Sequence, residues 1–198
     1  MIDYKIYHYN DENINDIGWG CTYRNIQTIL SCYKKYYDSS IIIPKITEIV
    51  YFFEKNIKII KNEMTHSSVK DLWIEPYHVG VFLKWFNIQF DGKNYLYVLN
   101  DKDIAKILKT DILIYLNENS IINNFEKIQI LIEEHFSYTK LPIVIDDGTY
   151  SYCIVLNNSD RTLFLIDPHK TNDDNISIIS FDFLKKRFWM FFFPHIQL

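Results

Sequence analysis

The chain has 198 residues, 48% hydrophobic and 23% charged, which is enough for one compact domain with a substantial core and too few for two comfortable ones. A net charge of −4 without a basic stripe argues against nucleic acid as a partner, and no uncharged apolar run reaches the roughly 18 residues a membrane span needs. Cys21, Cys32 and Cys153 are an odd number of cysteines without metal-ligand spacing, so they read as reduced thiols in the cytoplasm and point to no metal.

The amino terminus, MIDYKIYHYN, has no signal-peptide apolar stretch. Its Lys5–Tyr9 segment reads as a short strand, followed by a polar loop, NDENIND. Ile26, Ile29, Leu30 and Tyr33 recur at helical spacing and predict a helix over about 22 to 36. Pro44 suits a first helical position, and Ile46, Ile49, Val50, Phe53, Ile57 and Ile60 then mark one apolar face. HVGVFLKWF predicts a shorter helix through Val79, Phe82, Leu83 and Phe86.

DILIYL is a candidate strand, and NNFEKIQILIEEHF a helix through Phe125, Ile128, Ile132 and His135. Four further strands follow, PIVID, YSYCIVLN, TLFLID and FWMFFFP, with a short helix near 181 to 187. Helices early and strands late predict an α+β domain spanning 1–198, with helices packed on a largely antiparallel sheet. Ile, Asn, Lys and Tyr are abundant while Gly, Ala and Pro are scarce. That bias weakens any single Tyr or Asn as a functional signal.

Gly18-Trp19-Gly20-Cys21 places a cysteine where a helix begins, at what reads as a solvent-facing end. A cysteine at a helix N-terminus faces unpaired backbone N–H groups and the positive end of the dipole, which together favour the nucleophilic thiolate. Gly18 and Gly20 would let a substrate backbone come close. The other reading is a small buried hydrophobe, the commonest fate of a free cysteine.

A thiol nucleophile needs a base, and the base an orienting group. Of six histidines only His169, in TLFLIDPHKT, has a suggestive setting. In an extended segment Asp167 and His169 would share a face, so the carboxylate would hold one imidazole nitrogen and leave the other for a thiol. The alternative is a turn in which Asp-Pro simply ends the strand. His135 reads as a boundary residue, His66 as solvated loop, and Cys32 and Cys153 as core.

Cys21 with its flanks, together with Asp167-Pro168-His169, resembles the peptidases specific for ubiquitin-fold modifier, relatives of the papain-like cysteine proteases. Their Gly-Trp-Gly-Cys-x-Tyr-Arg-x-x-Gln-Thr segment is matched here by Gly18 to Thr28, with Tyr23, Arg24 and Gln27 in place. Tyr9, closing the Tyr-His-Tyr at 7 to 9, stands twelve residues before Cys21, as the family's oxyanion tyrosine does. DLWIEPYHVGVFL is similar to the family's Trp-Ile segment, and LIEEHFSYTKLPIVID to its His-Phe helix and following strand.

The resemblance implies a papain-like fold and a catalytic set of Cys21, Asp167, His169 and Tyr9. It implies no cofactor, and a monomer whose partner is a ubiquitin-like modifier or its conjugates. Trp19, Gly20, Trp73 and Ile74 become candidate substrate contacts; Trp19 reads equally as a channel wall or a core residue. Three departures bear on which modifier is bound: Glu75-Pro76 and Asp146-Asp147 where the family has glycine, and Lys170 where it often has tyrosine. The autophagy cysteine peptidases share Gly-Trp-Gly-Cys and Asp-Pro-His, but are longer and carry their tyrosine further from the cysteine. A non-catalytic module that binds a ubiquitin-like protein is the third reading.

Overall fold

The computed structural model describes residues 2–61, 73–85, 90–99, 118–157, 159–171 and 173–196. Its helices are α1 (Cys21–Tyr36), α2 (Ile46–Lys61), α3 (Pro76–Trp85), α4 (Phe125–Tyr138) and α5 (Phe181–Leu184). Its strands are β1 (Phe90–Tyr97), β2 (Ile121–Ile122), β3 (Ile143–Asp146), β4 (Ser151–Asn157), β5 (Thr162–Ile166), β6 (Ile176–Ile179) and β7 (Trp189–Ile196). They form one sheet in the order β2-β1-β7-β3-β4-β5-β6, with β1 and β2 parallel and every other pair antiparallel. The α+β expectation stands.

Strand alternation divides the core between two faces. Val144, Cys153, Ile166 and Phe192 point to the side where α1, α2 and α3 pack through Ile26, Ile29, Ile46, Phe53 and Leu83. Ile143, Ile145, Ile154, Phe191 and Phe193 point to the other, against Ile128 and Ile132 of α4 and Leu184 of α5. The α4 face is the one its spacing predicts, and Asn124 caps the helix by accepting the Glu126 N–H at 2.9 Å. Gly92 lets β1 pass beneath a core ring, since a Cβ there would lie 2.1 Å from Phe192.

Several expectations need correction. Lys5–Tyr9 is not a strand: the Tyr7 N–H goes to Thr28 Oγ1 at 3.1 Å and the Tyr9 N–H to the Pro168 carbonyl at 2.8 Å, so no ladder forms. Pro44 precedes α2 rather than opening it, and its carbonyl accepts from Gln27 Nε2 at 2.9 Å. His135 is core, not boundary: it is 1% exposed, its Nε2 lies 2.8 Å from the Leu141 carbonyl oxygen, and burial pulls its pKa down to about 4 despite that contact. The readings made of DILIYL, His66 and Phe86, and of the Ile57 and Ile60 side chains, lie outside the described residues.

Candidate active site

Cys21 is the first residue of α1, and Gly20 immediately precedes it. Its side chain does not face open solvent as expected; it is 1% exposed. Packing alone requires glycine at position 20, because a Cβ there would fall 2.1 Å from Asp16 Oδ2. Gly18 differs: its φ is +88°, a left-handed backbone that favours glycine, and it has open space around it.

Asp167 and His169 come together through a turn, not through strand alternation. β5 ends at Ile166, and the Lys170 N–H returns to the Asp167 carbonyl at 3.3 Å. Asp167 Oδ1 accepts the His169 backbone N–H at 3.0 Å and lies 2.6 Å from His169 Nδ1. The strand-ending turn and the carboxylate–imidazole pair are therefore one structure. His169 Nε2 is left buried and without a hydrogen-bond partner of ordinary geometry among the described residues.

Electrostatics place Cys21 beside that ring. Burial works to lower the His169 pKa, but its bond to Asp167 and its interaction with the Cys21 thiol outweigh burial and carry it to about 9. Burial works in the same way to raise the Asp167 carboxyl, and the two His169 bonds hold it below its ordinary value. The pair thus carries opposite charges at neutral pH.

Tyr9 completes the group. Its ring meets His169 edge-on with centroids 5.1 Å apart, and it is 5% exposed. Burial first, and then the adjacent Cys21 thiol, push the phenol pKa well above its ordinary range. The hydroxyl therefore keeps its proton and is able to donate. Tyr150 and Tyr152 also meet the His169 ring edge-on, at 5.0 and 5.4 Å. Sequence reasoning missed both; the signal is their i, i+2 spacing across Ser151, hidden among fifteen tyrosines.

The four candidate substrate contacts separate. Trp19 is half-buried, edge-on to Tyr23 at 5.5 Å, and packs against the core beneath α1. Ile74 is 2% exposed and belongs to that core, whereas Trp73 is half-buried. Two departures from the family pattern meet: Asp146, closing β3, lies within the field of Glu75, just ahead of α3. Glu75 Oε2 and Asp146 Oδ2 are both buried without a hydrogen-bond partner. Burial raises Glu75 to about 7, and burial followed by Glu75's charge raises Asp146 well above the carboxylate range. Asp147, the next residue, pairs with Arg187.

Among the described residues, no helix is long and apolar enough to cross a membrane, and no group of three or more His, Cys, Asp or Glu is arranged to hold a metal.

The chain is similar to known proteins over most of its length. The chain is similar to a probable Ufm1-specific protease of Oryza sativa subsp. japonica, 25% identical over 185 residues, covering 89% of this chain and 24% of that protein. It is 23% identical over 182 residues to a probable Ufm1-specific protease 2 of Drosophila melanogaster, covering 26% of it, and 21% identical over 186 residues to the Ufm1-specific protease 2 of Danio rerio, covering 39%. The chain thus spans between about a quarter and two-fifths of these relatives' lengths. The crystal structure of UfSP from C. elegans superposes with a TM-score of 0.61 at 17% identity, over 98% of this chain and 33% of that one, which establishes the shared fold. The model of peptidase family C78 matches residues 1–187, and the chain belongs to that family.

Proposed function

We propose that the chain is a thiol peptidase that cleaves after the C-terminal glycine of a ubiquitin-like modifier, with the ubiquitin-fold modifier as substrate. One observation carries the reading: His169 is held by Asp167 at 2.6 Å, with its other nitrogen buried and its ring in interaction with the thiol of Cys21, which opens α1. The names of the relatives support the choice of modifier. Residues 1–198 act as a single papain-like domain, and three free thiols suit a reducing cytoplasm.

In this mechanism Cys21 Sγ attacks the carbonyl carbon of the terminal glycine, and its proton resides on His169. The oxyanion receives hydrogen bonds from the Cys21 backbone N–H and the Tyr9 hydroxyl. With a pKa of about 9, His169 is protonated at neutral pH and delivers that proton to the leaving amine as the C–N bond breaks. Water then attacks the thioester while His169 takes its proton, releasing the free carboxylate and returning the proton to the Cys21–His169 pair. Asp167 fixes the ring orientation throughout.

The experiment is cleavage of precursor fusions. A ubiquitin-fold-modifier fusion should be cut after its terminal glycine, and a ubiquitin fusion left intact. Cutting of an autophagy-modifier fusion alone would keep the chemistry and change the substrate. Cutting of none would contradict the reading.

A further inference from the structure

Asp16 holds both sides of the proposed oxyanion site at once. Its Oδ1 accepts the backbone N–H of Asn10, the residue after Tyr9, at 2.8 Å. Its carbonyl accepts the N–H of Gly20, the residue before Cys21, at 2.9 Å, and that of Trp19 at 3.2 Å. Its Oδ2 accepts from Arg24 Nε at 2.7 Å. The rest of the Arg24 guanidinium reaches Gln27 Oε1 at 2.9 Å, the Asp11 carbonyl at 2.9 Å and Glu12 Oε2 at 3.2 Å. Glu12 Oε2 also accepts the Ile46 N–H at 3.0 Å, which ties the network to the start of α2.

We propose that Asp16, clamped by Arg24, is a positioning residue that sets the gap between the Tyr9 hydroxyl and the Cys21 backbone N–H. This rests on the peptidase reading above. Three features favour it over a role in stability alone. A buried ion pair returns little net stability, because desolvation offsets its attraction, and the Asp16 and Arg24 side chains are both 0% exposed. The loop's apolar anchors are only partly buried: Ile14 and Trp19 pack against the core, while the turn at Asp11–Asn13 buries no residue and Ile17 is 62% exposed. Its backbone is also costly, with left-handed φ of 64° at Asn10, 61° at Glu12 and 57° at Asn13, a state that persists only where surrounding contacts impose it. Beyond the Tyr9–Pro168 backbone bond and the packing of Ile14 and Trp19, the path from Tyr9 to Cys21 is held by this set of hydrogen bonds.

The test is a double-mutant cycle of Asp16→Asn and Tyr9→Phe on a modifier fusion, with amide hydrogen exchange on the same proteins. Asp16→Asn should lower kcat by about tenfold with little change in KM, a fraction of the loss of a whole oxyanion donor. The double variant should be no worse than about threefold below Tyr9→Phe alone, because the two residues act through one interaction. Exchange at the Asn10 and Gly20 amides should speed by about tenfold or more, as their acceptor loosens. Multiplicative losses in the cycle, or unchanged exchange at both amides, would overturn the proposal. The exchange result stands even if no fusion is cut, an outcome that would defeat only the peptidase reading. Should Asp16→Asn fail to fold, Glu12→Gln, whose side chain is 21% exposed, should show the same non-additivity with Tyr9→Phe and faster exchange at both amides. Additive behaviour with unchanged exchange there would overturn it equally.

Discussion

Tyr9 donates its backbone N–H to the carbonyl of Pro168 at 2.8 Å, joining a residue near the start of the chain to the centre of Asp167-Pro168-His169. That bond brings Tyr9 to the turn that carries His169, where its ring lies edge-on to His169 and beside Cys21. Tyr9→Phe keeps the ring and the backbone bond and removes only the hydroxyl. Turnover should fall by roughly 10²-fold while the melting temperature barely moves. Parallel measurement of kcat and thermal unfolding checks this; unchanged turnover would remove Tyr9 from the catalytic group.

Asp167→Asn and His169→Ala separate orientation from proton transfer. Asn can keep an oxygen at the Asp167 Oδ1 position, which meets both the ring and the backbone N–H of His169, but it removes the negative charge that stabilises the imidazolium. Turnover should fall by about 10²-fold or more for Asp167→Asn, and close to background for His169→Ala, with far-UV circular dichroism unchanged.

The raised His169 pKa has a signed consequence for stability. A group whose folded pKa lies above its unfolded value stabilises fully below the unfolded value, here 6.5, and loses that contribution as pH rises through about 9. Asp167, held below its ordinary 3.8, stabilises above that value and loses its share as pH falls further. The pair thus contributes fully between about pH 4 and 6.5. Urea unfolding should show wild type losing on the order of 3 kcal/mol relative to His169→Ala between pH 6 and pH 10. Parallel profiles for the two proteins would contradict the assignment.

Glu75 predicts the opposite kind of effect. A carboxyl raised from 4.5 to about 7 costs stability progressively as pH rises between those values. Glu75→Gln removes the charge that acts on buried Asp146. The variant should be more stable by about 1–3 kcal/mol at pH 8, with the gain vanishing near pH 4. A destabilised variant at pH 8 would mean that the charge is compensated.

The apolar patterns were the legible part of this chain. FWMFFFP reads directly as a buried strand because both faces of β7 are covered, one through Phe192 and the other through Phe191 and Phe193. β1 was not legible: FDGKNYLY holds Gly, Asn, Asp and Lys, and becomes a strand by pairing along its whole length with β7. Tertiary pairing overrides weak local propensity there. Cys21, Asp167 and His169 stood out because their motifs are short and specific, and Tyr9 only through its resemblance to the family's oxyanion tyrosine. Asp16 and Tyr152 did not, since their importance lies in contacts with residues that only the folded chain brings near.

Covalent capture by an electrophilic substrate shows whether Cys21 is the nucleophile. A ubiquitin-fold-modifier probe carrying an electrophile in place of its terminal carboxylate should label the wild-type protein at one-to-one stoichiometry, with the adduct mapped to Cys21 by mass spectrometry. Labelling should vanish in Cys21→Ala and persist in Cys32→Ala. An unlabelled wild type, or a Cys21→Ala protein labelled as fully as wild type, would exclude Cys21 as the nucleophile.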